Sequence, residues 1–362
     1  MSWFFNRVRR LDWWLIGAVV LLNILGVVMM YGIDITIFQK QLLFVILGLA
    51  ILISVAMINN RLFQNYAYFL YIFGIIILLG VLLFGVTIRG TTGWFQIGSF
   101  GLQPVELAKI LLIIALARFF SDHTFNLASW KNIGKSLLIV LGYGALVLMQ
   151  PDLGSMAVFT LAFIGMLVLT NIKIKQILLL FLVGLISISF IWVAFLQDYQ
   201  QERILTFLDP SRDQLGSGYN VTQSIISVGS GKLLGRGLGL GTQSQLQFLP
   251  ERETDFIFAV IAEELGYIGA AGVIFLIGVI LYRLWRALRN TNNTYAMFIF
   301  AGMALLIFVQ TLINVGMNIG ILPVTGIPLP FISAGGSSLF AMMIGLGITQ
   351  SCYIEHKSSS LT

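Results

Sequence analysis

An all-α polytopic membrane protein of about ten transmembrane helices, with both termini cytoplasmic and one long extracytoplasmic loop between the seventh and eighth helices, is predicted by three features of the sequence. The first is bulk composition. Of 362 residues, 58% are hydrophobic and 10% charged, with a mean hydropathy of +0.95, against about 45–50% and about 25% for soluble domains. The second is a series of apolar runs of spanning length, near 12–31, 40–58, 66–86, 104–120, 135–150, 153–170, 175–196, 255–282, 296–319 and 337–354. The third is charge placement. With the N-terminus inside, one face collects Arg7, Arg9, Arg10, Arg61, Arg118, Lys131, Lys135, Lys173, Lys175, Arg283, Arg286, Arg289 and Lys357, whereas the short loops of the other hold little beyond Lys40 and Arg89.

The same composition excludes several function classes. The net charge of +6 follows from topology, because the arginines are spread over loops instead of clustered, so no nucleic-acid partner is implied. A single cysteine, Cys352, forbids an intramolecular disulfide, and His123 and His356 lie far apart, so no His/Cys metal site is available. The basic start MSWFFNRVRRLDWW runs into a long apolar stretch without a small-residue cleavage site and is expected to be a retained first helix. The chain reads as one integral membrane domain over 1–362, with a cytoplasmic tail at 355–362.

Taken in order, the first break in the pattern is Thr87 to Glu106, too polar and glycine-rich to cross lipid, which puts Trp94 and Phe95 at headgroup level. Trp94 suits an aromatic belt as well as a substrate contact. The next helix opens on Pro104 and carries Glu106 and Lys109 three apart on one face, an ion pair that either makes a buried helix tolerable or faces a cavity. At MQPDLGS two helices are separated by almost nothing, so Asp152 sits at the mouth of the bundle or simply caps a helix.

The extracytoplasmic loop, 197–254, exceeds ordinary connection lengths. Val221, Ile225, Ile226 and Val228 predict a short amphipathic helix lying on the membrane within it. The following GSGKLLGRGLGLGTQ places Lys232 and Arg236 among glycines, either as an anion-binding nest or as turn sequence. A P-loop is excluded, since GxxxxGK[ST] is missing. Near 318–339, Pro323, Pro328, Pro330 and Gly335-Gly336 forbid a continuous helix, which predicts a re-entrant or cavity-lining loop containing Ser333, Ser337 and Ser338.

The chain is organised around FLPERETDFIFAVIAEELGY, 248–267, where a polar loop runs into an apolar helix. Asp255 stands at that boundary, close to a helix N-terminus that favours its ionised form. Glu263 and Glu264 follow roughly 12 and 14 Å further along a continuous helix, on different faces. Residues 259, 262, 266, 269 and 270 share one Ala/Gly face, suited to close packing or to an acyl chain. An exposed carboxylate at the outer surface, cations and a lipid groove suit glycosyl transfer from a lipid-linked diphosphate, in which a base takes the acceptor hydroxyl proton. A divalent cation, Mg2+ or Mn2+, is the one cofactor such chemistry would use, and no organic cofactor is implied.

The stretches GWFQIGSFGLQPVELAK, MQPDLGS, RILTFLDPSRDQLGSGYNVTQSIISVGSGKLLGRGLGLGTQSQLQFLPERETDFIFAVIAEELG and GIPLPFISAGGSSL, in that order across nearly the whole chain, resemble the SEDS family of bacterial peptidoglycan polymerases, and TQSQLQFLPERETDFIFA is similar to its elongation branch. The resemblance implies polymerisation of lipid II into β-1,4-linked glycan outside the bacterial cytoplasmic membrane, with undecaprenyl diphosphate leaving. It also implies a class B penicillin-binding protein as partner, besides lipid II, the nascent glycan and membrane lipid. Asp255 is the implied catalytic base. Arg89, Trp94, Gln103, Glu106, Lys109, Asp152, Arg203, Gln223, Lys232, Arg236, Glu251, Thr254 and Ser333, all within or beside the matched motifs, are the implied substrate-binding or supporting residues. The chain departs from the family pattern at Gly93, Glu253 and Ala334, where relatives carry a basic residue, His and an aromatic. Two alternatives use the same features, a flippase for lipid-linked sugars and a scaffold for the penicillin-binding protein.

Overall fold

The computed structural model describes residues 2–88, 90–98, 100–170, 172–194, 198–209 and 216–359. Each predicted apolar run is found as a helix: α2 (Trp13–Ile33) and α3 (Ile35–Ala56) after a short α1 (Ser2–Arg9), then α5 (Ala67–Phe84) after α4 (Asn60–Asn65). Next come α6 (Pro104–Asp122), α7 (Trp130–Met149), α8 (Leu153–Val168) and α9 (Ile174–Ala194), and finally α13 (Ile257–Asn290), α14 (Thr294–Asn318) and α15 (Gly336–Ser359). Among the described residues, 7 helices are long and apolar enough to cross a membrane. Helix α6 is held back by its four charges, Glu106, Lys109, Arg118 and Asp122, and α8 by its length of 16 residues.

Sequence-local chemistry sets the helix starts. Asp34 accepts from the Thr36 hydroxyl and from the Thr36 and Ile37 amides at the head of α3, which holds its carboxyl below the ordinary range. Ser129 caps α7, Asn293 caps α14, and Pro104 occupies the first turn of α6, where its missing N–H costs nothing. Helices α6 and α14 form the centre and are buried along nearly their whole lengths. Helix α6 packs on α5, α7, α14 and α15. The outer helices α3, α5 and α9 leave large apolar side chains such as Ile46, Phe69, Ile76 and Phe181 uncovered, as lipid-facing surfaces require.

The segment expected to be merely polar and glycine-rich is a small antiparallel sheet, β1 (Val86–Ile88), β2 (Thr91–Ile97) and β3 (Phe100–Leu102), with Val86 opposite Trp94 and Phe95 opposite Leu102. The long loop is also more regular than a connection, since it holds α10 (Asp198–Leu208), α11 (Ser217–Ser230) and α12 (Thr242–Gln245). Helix α11 is the predicted amphipathic helix, but it lies on α13 and α14, where Val221 is buried and Ser224 donates to the Asn318 carbonyl.

The expected continuous helix from 255 is corrected in two ways. The helix begins at Ile257, leaving Asp255 in the preceding turn, and Gly266 breaks it with φ 70° and ψ −167°. Across the break the glycine run takes over backbone pairing: the Arg236 and Gly237 amides donate to the Glu263 and Glu264 carbonyls, and the Tyr267 amide donates to Lys232. A Cβ at Gly231 would stand 1.8 Å from the Ala262 carbonyl oxygen, and one at Gly235 would stand 2.1 Å from that of Glu264. The Ala262–Gly266 part of the small-residue face is therefore covered by loop backbone, and Gly231 and Gly235 serve that close approach.

Candidate active site

Asp255 reaches its place through backbone contacts. Its carbonyl accepts from the side-chain amides of Asn314 at 3.0 Å and Asn318 at 2.9 Å, both asparagines being buried on α14. The Asn318 side-chain Oδ1 in turn accepts from the Ala259 amide at 3.0 Å, fixing the first turn of α13. On the other flank the Ser333 hydroxyl donates to the Thr254 carbonyl at 2.7 Å, and the Ala334 amide donates to Glu253 at 2.8 Å. Buried carbonyls left without such donors would each cost about 1–3 kcal/mol. Two segments distant in sequence thus clamp the turn that carries the carboxylate.

The same end of the bundle holds a cavity of about 420 Å³. Asp255 and Thr254 line it together with Trp94, Gln103, Glu106, Asp152 and Arg203, so much of the predicted set converges. Its floor is the start of α6, where Glu106 accepts from Lys109 Nζ at 2.7 Å with both side chains buried. Lys109 stands behind Glu106, outside the wall. Each partner satisfies the charge of the other, and removing one would leave an uncompensated buried ion. Asp152 is the cap of α8, its Oδ1 accepting from the Ser155 amide at 2.9 Å, and it lines the cavity as well. The two readings of that residue are compatible.

The loop after α14 supplies the remaining wall. Thr325, Gly326 and Ile327 line it, and a Cβ at Gly326 would lie 3.8 Å from Asp255 Oδ2. Ser337 bridges two walls, accepting from the Gln103 amide and donating to the Gly101 carbonyl, both at 3.0 Å. Phe331, buried in the same loop, has φ 67°, a conformation costly for a residue with a side chain.

Other predicted residues are not brought to the cavity. Lys232 and Arg236 are exposed on the far side of the glycine run, where Arg236 donates to the Thr242 hydroxyl at 3.1 Å. Gln223 lies on α11 and Glu251 accepts from the Thr254 hydroxyl at 3.1 Å, neither lining the cavity. Ser333 acts on backbone, taking the Leu329 amide as it donates to Thr254. Arg89 lies outside the described residues. The described cavity wall contains neither Lys232 nor Arg236, and its cation is Arg203. Sequence reasoning passed over Asn314 and Asn318; their signal was a polar pair four apart on one face of an apolar helix. Glu263 and Glu264 do not reach the cavity. Glu263 accepts from the Gln243 amide at 2.8 Å and the Ser244 amide at 3.1 Å, and Glu264 from the Gly239 amide at 3.0 Å, so both hold the long loop.

A carboxylate and a guanidinium lining one polar recess floored by a paired charge can take a proton from a bound hydroxyl and face a bound anion, respectively. Among the described residues no three His, Cys, Asp or Glu side chains converge to hold a metal ion.

Comparison with known proteins places the chain in context. A family model described as a cell cycle protein, covering FtsW, RodA and SpoVE, matches residues 8–358. The chain is 38% identical over 330 residues to peptidoglycan glycosyltransferase MrdB of Escherichia coli (strain K12), covering 91% of this chain and 89% of that one. It is 34% identical over 313 residues to stage V sporulation protein E of Bacillus subtilis (strain 168), covering 86% and 85%. Among solved structures, a chain of a peptidoglycan synthase complex that coordinates polymerization and crosslinking superposes with a TM-score of 0.83 at 30% identity, covering 96% of this chain and 98% of that one. Rod shape determining protein RodA of Thermus thermophilus superposes with a TM-score of 0.73 at 27% identity, covering 96% and 97%.

Proposed function

The chain belongs to the FtsW/RodA/SpoVE family of cell cycle proteins, the SEDS family that its motifs resemble, and from that premise we propose that it is a peptidoglycan glycosyltransferase polymerising lipid II into β-1,4-linked glycan strands on the outer face of the bacterial cytoplasmic membrane during cell elongation. The supporting observation is the convergence of Asp255, Arg203 and the polar wall on one cavity. Asp255 takes the proton of the acceptor sugar's 4-hydroxyl as that oxygen bonds to C1 of the donor sugar. The bond from C1 to the diphosphate oxygen breaks with inversion, and undecaprenyl diphosphate leaves with the electron pair. Asp255 then releases its proton to water. Arg203 faces the charge that develops on the leaving diphosphate, where a preorganised cation is most effective.

Glu106 with Lys109, Asp152, Trp94, Gln103 and Thr254 shape and polarise the recess around the sugars, and the clamp on the Asp255 carbonyl keeps the base in register. The described side chains do not fit a three-ligand protein site for Mg2+ or Mn2+. A class B penicillin-binding protein is the partner we assign, supported by the likeness to a chain of a peptidoglycan synthase complex.

The test is Asp255→Asn in the purified full chain with its partner, supplied with lipid II. Loss of a general base predicts a fall in glycan synthesis of about 100-fold or more, with membrane insertion and partner binding retained. Full-rate synthesis would remove Asp255 from the mechanism. Scoring lipid II translocation in the same vesicles separates the reading from a flippase, which would transport without forming polymer.

A further inference from the structure

At the opposite end of the bundle, the start of α2 and the ends of α13 and α15 enclose a second recess of about 290 Å³. Its wall carries the guanidinium groups of Arg283 and Arg286, the ammonium of Lys357, the imidazole of His356, the amide of Asn290 and the indole of Trp14. Asp12 faces this set, taking Arg283 Nε at 2.8 and 3.0 Å, and so holds that guanidinium across the gap between α2 and α13. Arg286 and Lys357, both exposed, add positive charge at the rim. Neither group takes part in the cavity of Asp255.

The surroundings identify the depth at which this recess opens. Trp14 lines it, Trp13, Tyr282 and Trp285 adjoin its lining residues in sequence, all four are exposed, and Arg289 lies over the Trp285 ring at 5.2 Å. Large amphipathic rings left uncovered at the end of a spanning bundle lie at the level of lipid headgroups. Cations opening at that level meet lipid phosphate, and a concave basic site between spanning helices suits a headgroup better than an open basic surface does. We infer that this recess binds the phosphate of an anionic phospholipid in the leaflet that faces the two chain ends. A lipid seated there bridges α2, α13 and α15, the same elements that the Asp12–Arg283 pair joins.

Native mass spectrometry on the purified full chain in detergent tests this, with titration of phosphatidylglycerol, phosphatidylcholine of matched chains, and soluble glycerol phosphate. Phosphatidylglycerol is expected to bind more tightly than phosphatidylcholine, and the difference should shrink as salt is raised. Arg286→Ala should weaken phosphatidylglycerol about five-fold and Arg286→Ala with Lys357→Ala roughly 25-fold, as expected for cations near a lipid surface. Phosphatidylcholine should be unaffected, and Arg286→Lys should retain most of the preference. Equal binding of the two lipids by the unaltered protein overturns the inference without any variant. Equal weakening of both lipids in the double variant, or no weakening, also overturns it. Competition by glycerol phosphate as strong as by the lipid would assign the recess to soluble phosphate compounds and equally overturn a lipid site.

Discussion

At the scale of single residues, the position of Asp255 depends on two side chains that never enter the cavity. Asn318 donates to the Asp255 carbonyl and accepts from the Ala259 amide, so it joins the turn of Asp255 to the first turn of α13. Asn318→Leu keeps the volume approximately and removes one of two donors to the Asp255 carbonyl and one of two acceptors of the Ala259 amide, leaving Asn314 and the Phe256 carbonyl as partners, at a cost of about 1 kcal/mol of stability. Lipid II kinetics are expected to show a lower kcat with KM little changed, because a displaced base weakens the transition state more than substrate binding. An unchanged kcat in a folded variant would mean that the clamp does not position the base. Asp255, Glu106, Lys109 and Asp152 were legible because a charge in an apolar sequence is conspicuous and expensive. Asn314 and Asn318 were not, since two amides barely lower the hydropathy of a 25-residue helix and their partners are backbone atoms far away in sequence.

At the scale of elements, the ten helices were readable because a bilayer demands long apolar runs, and charge asymmetry ordered them. What escaped was every feature decided by contacts between segments. The break at Gly266 looks in sequence like one more glycine in a helix, a cost of about 1 kcal/mol. Its reason lies with the loop, because a Cβ there would stand 2.3 Å from the Gly235 amide nitrogen and would need a left-handed backbone as well. Gly266→Ala is therefore expected to release the 231–241 run, lowering the melting temperature and opening that run to protease. A variant as protease-resistant as the parent would show that the junction tolerates a side chain. The small sheet escaped for a related reason: the Gly-rich strand residues 86–102 gain their order from pairing with one another and lie against α5, α6 and α15.

At the scale of the whole molecule, the two ends differ in chemistry. One carries the polar cavity of Asp255, and the other carries the basic recess beside both chain ends. Charge asymmetry assigns the cavity to the outside, and labelling checks it. A membrane-impermeant maleimide is expected to modify Lys232→Cys in intact cells stripped of their outer layers, and Lys135→Cys only after permeabilisation, since both positions are exposed. Cys352, the single native thiol, is 1% exposed and leaves the parent unlabelled as a blank. The reverse pattern would invert the orientation and exclude external polymerisation.

The junction at Gly266 has a mechanical consequence at this scale. Glu263 and Glu264 grip residues 239–245, Arg252 grips the Ser244 carbonyl, and backbone pairing spans the gap in α13. Loop and half-helix are therefore tied into one unit that runs from the exposed glycine run to the turn before Asp255.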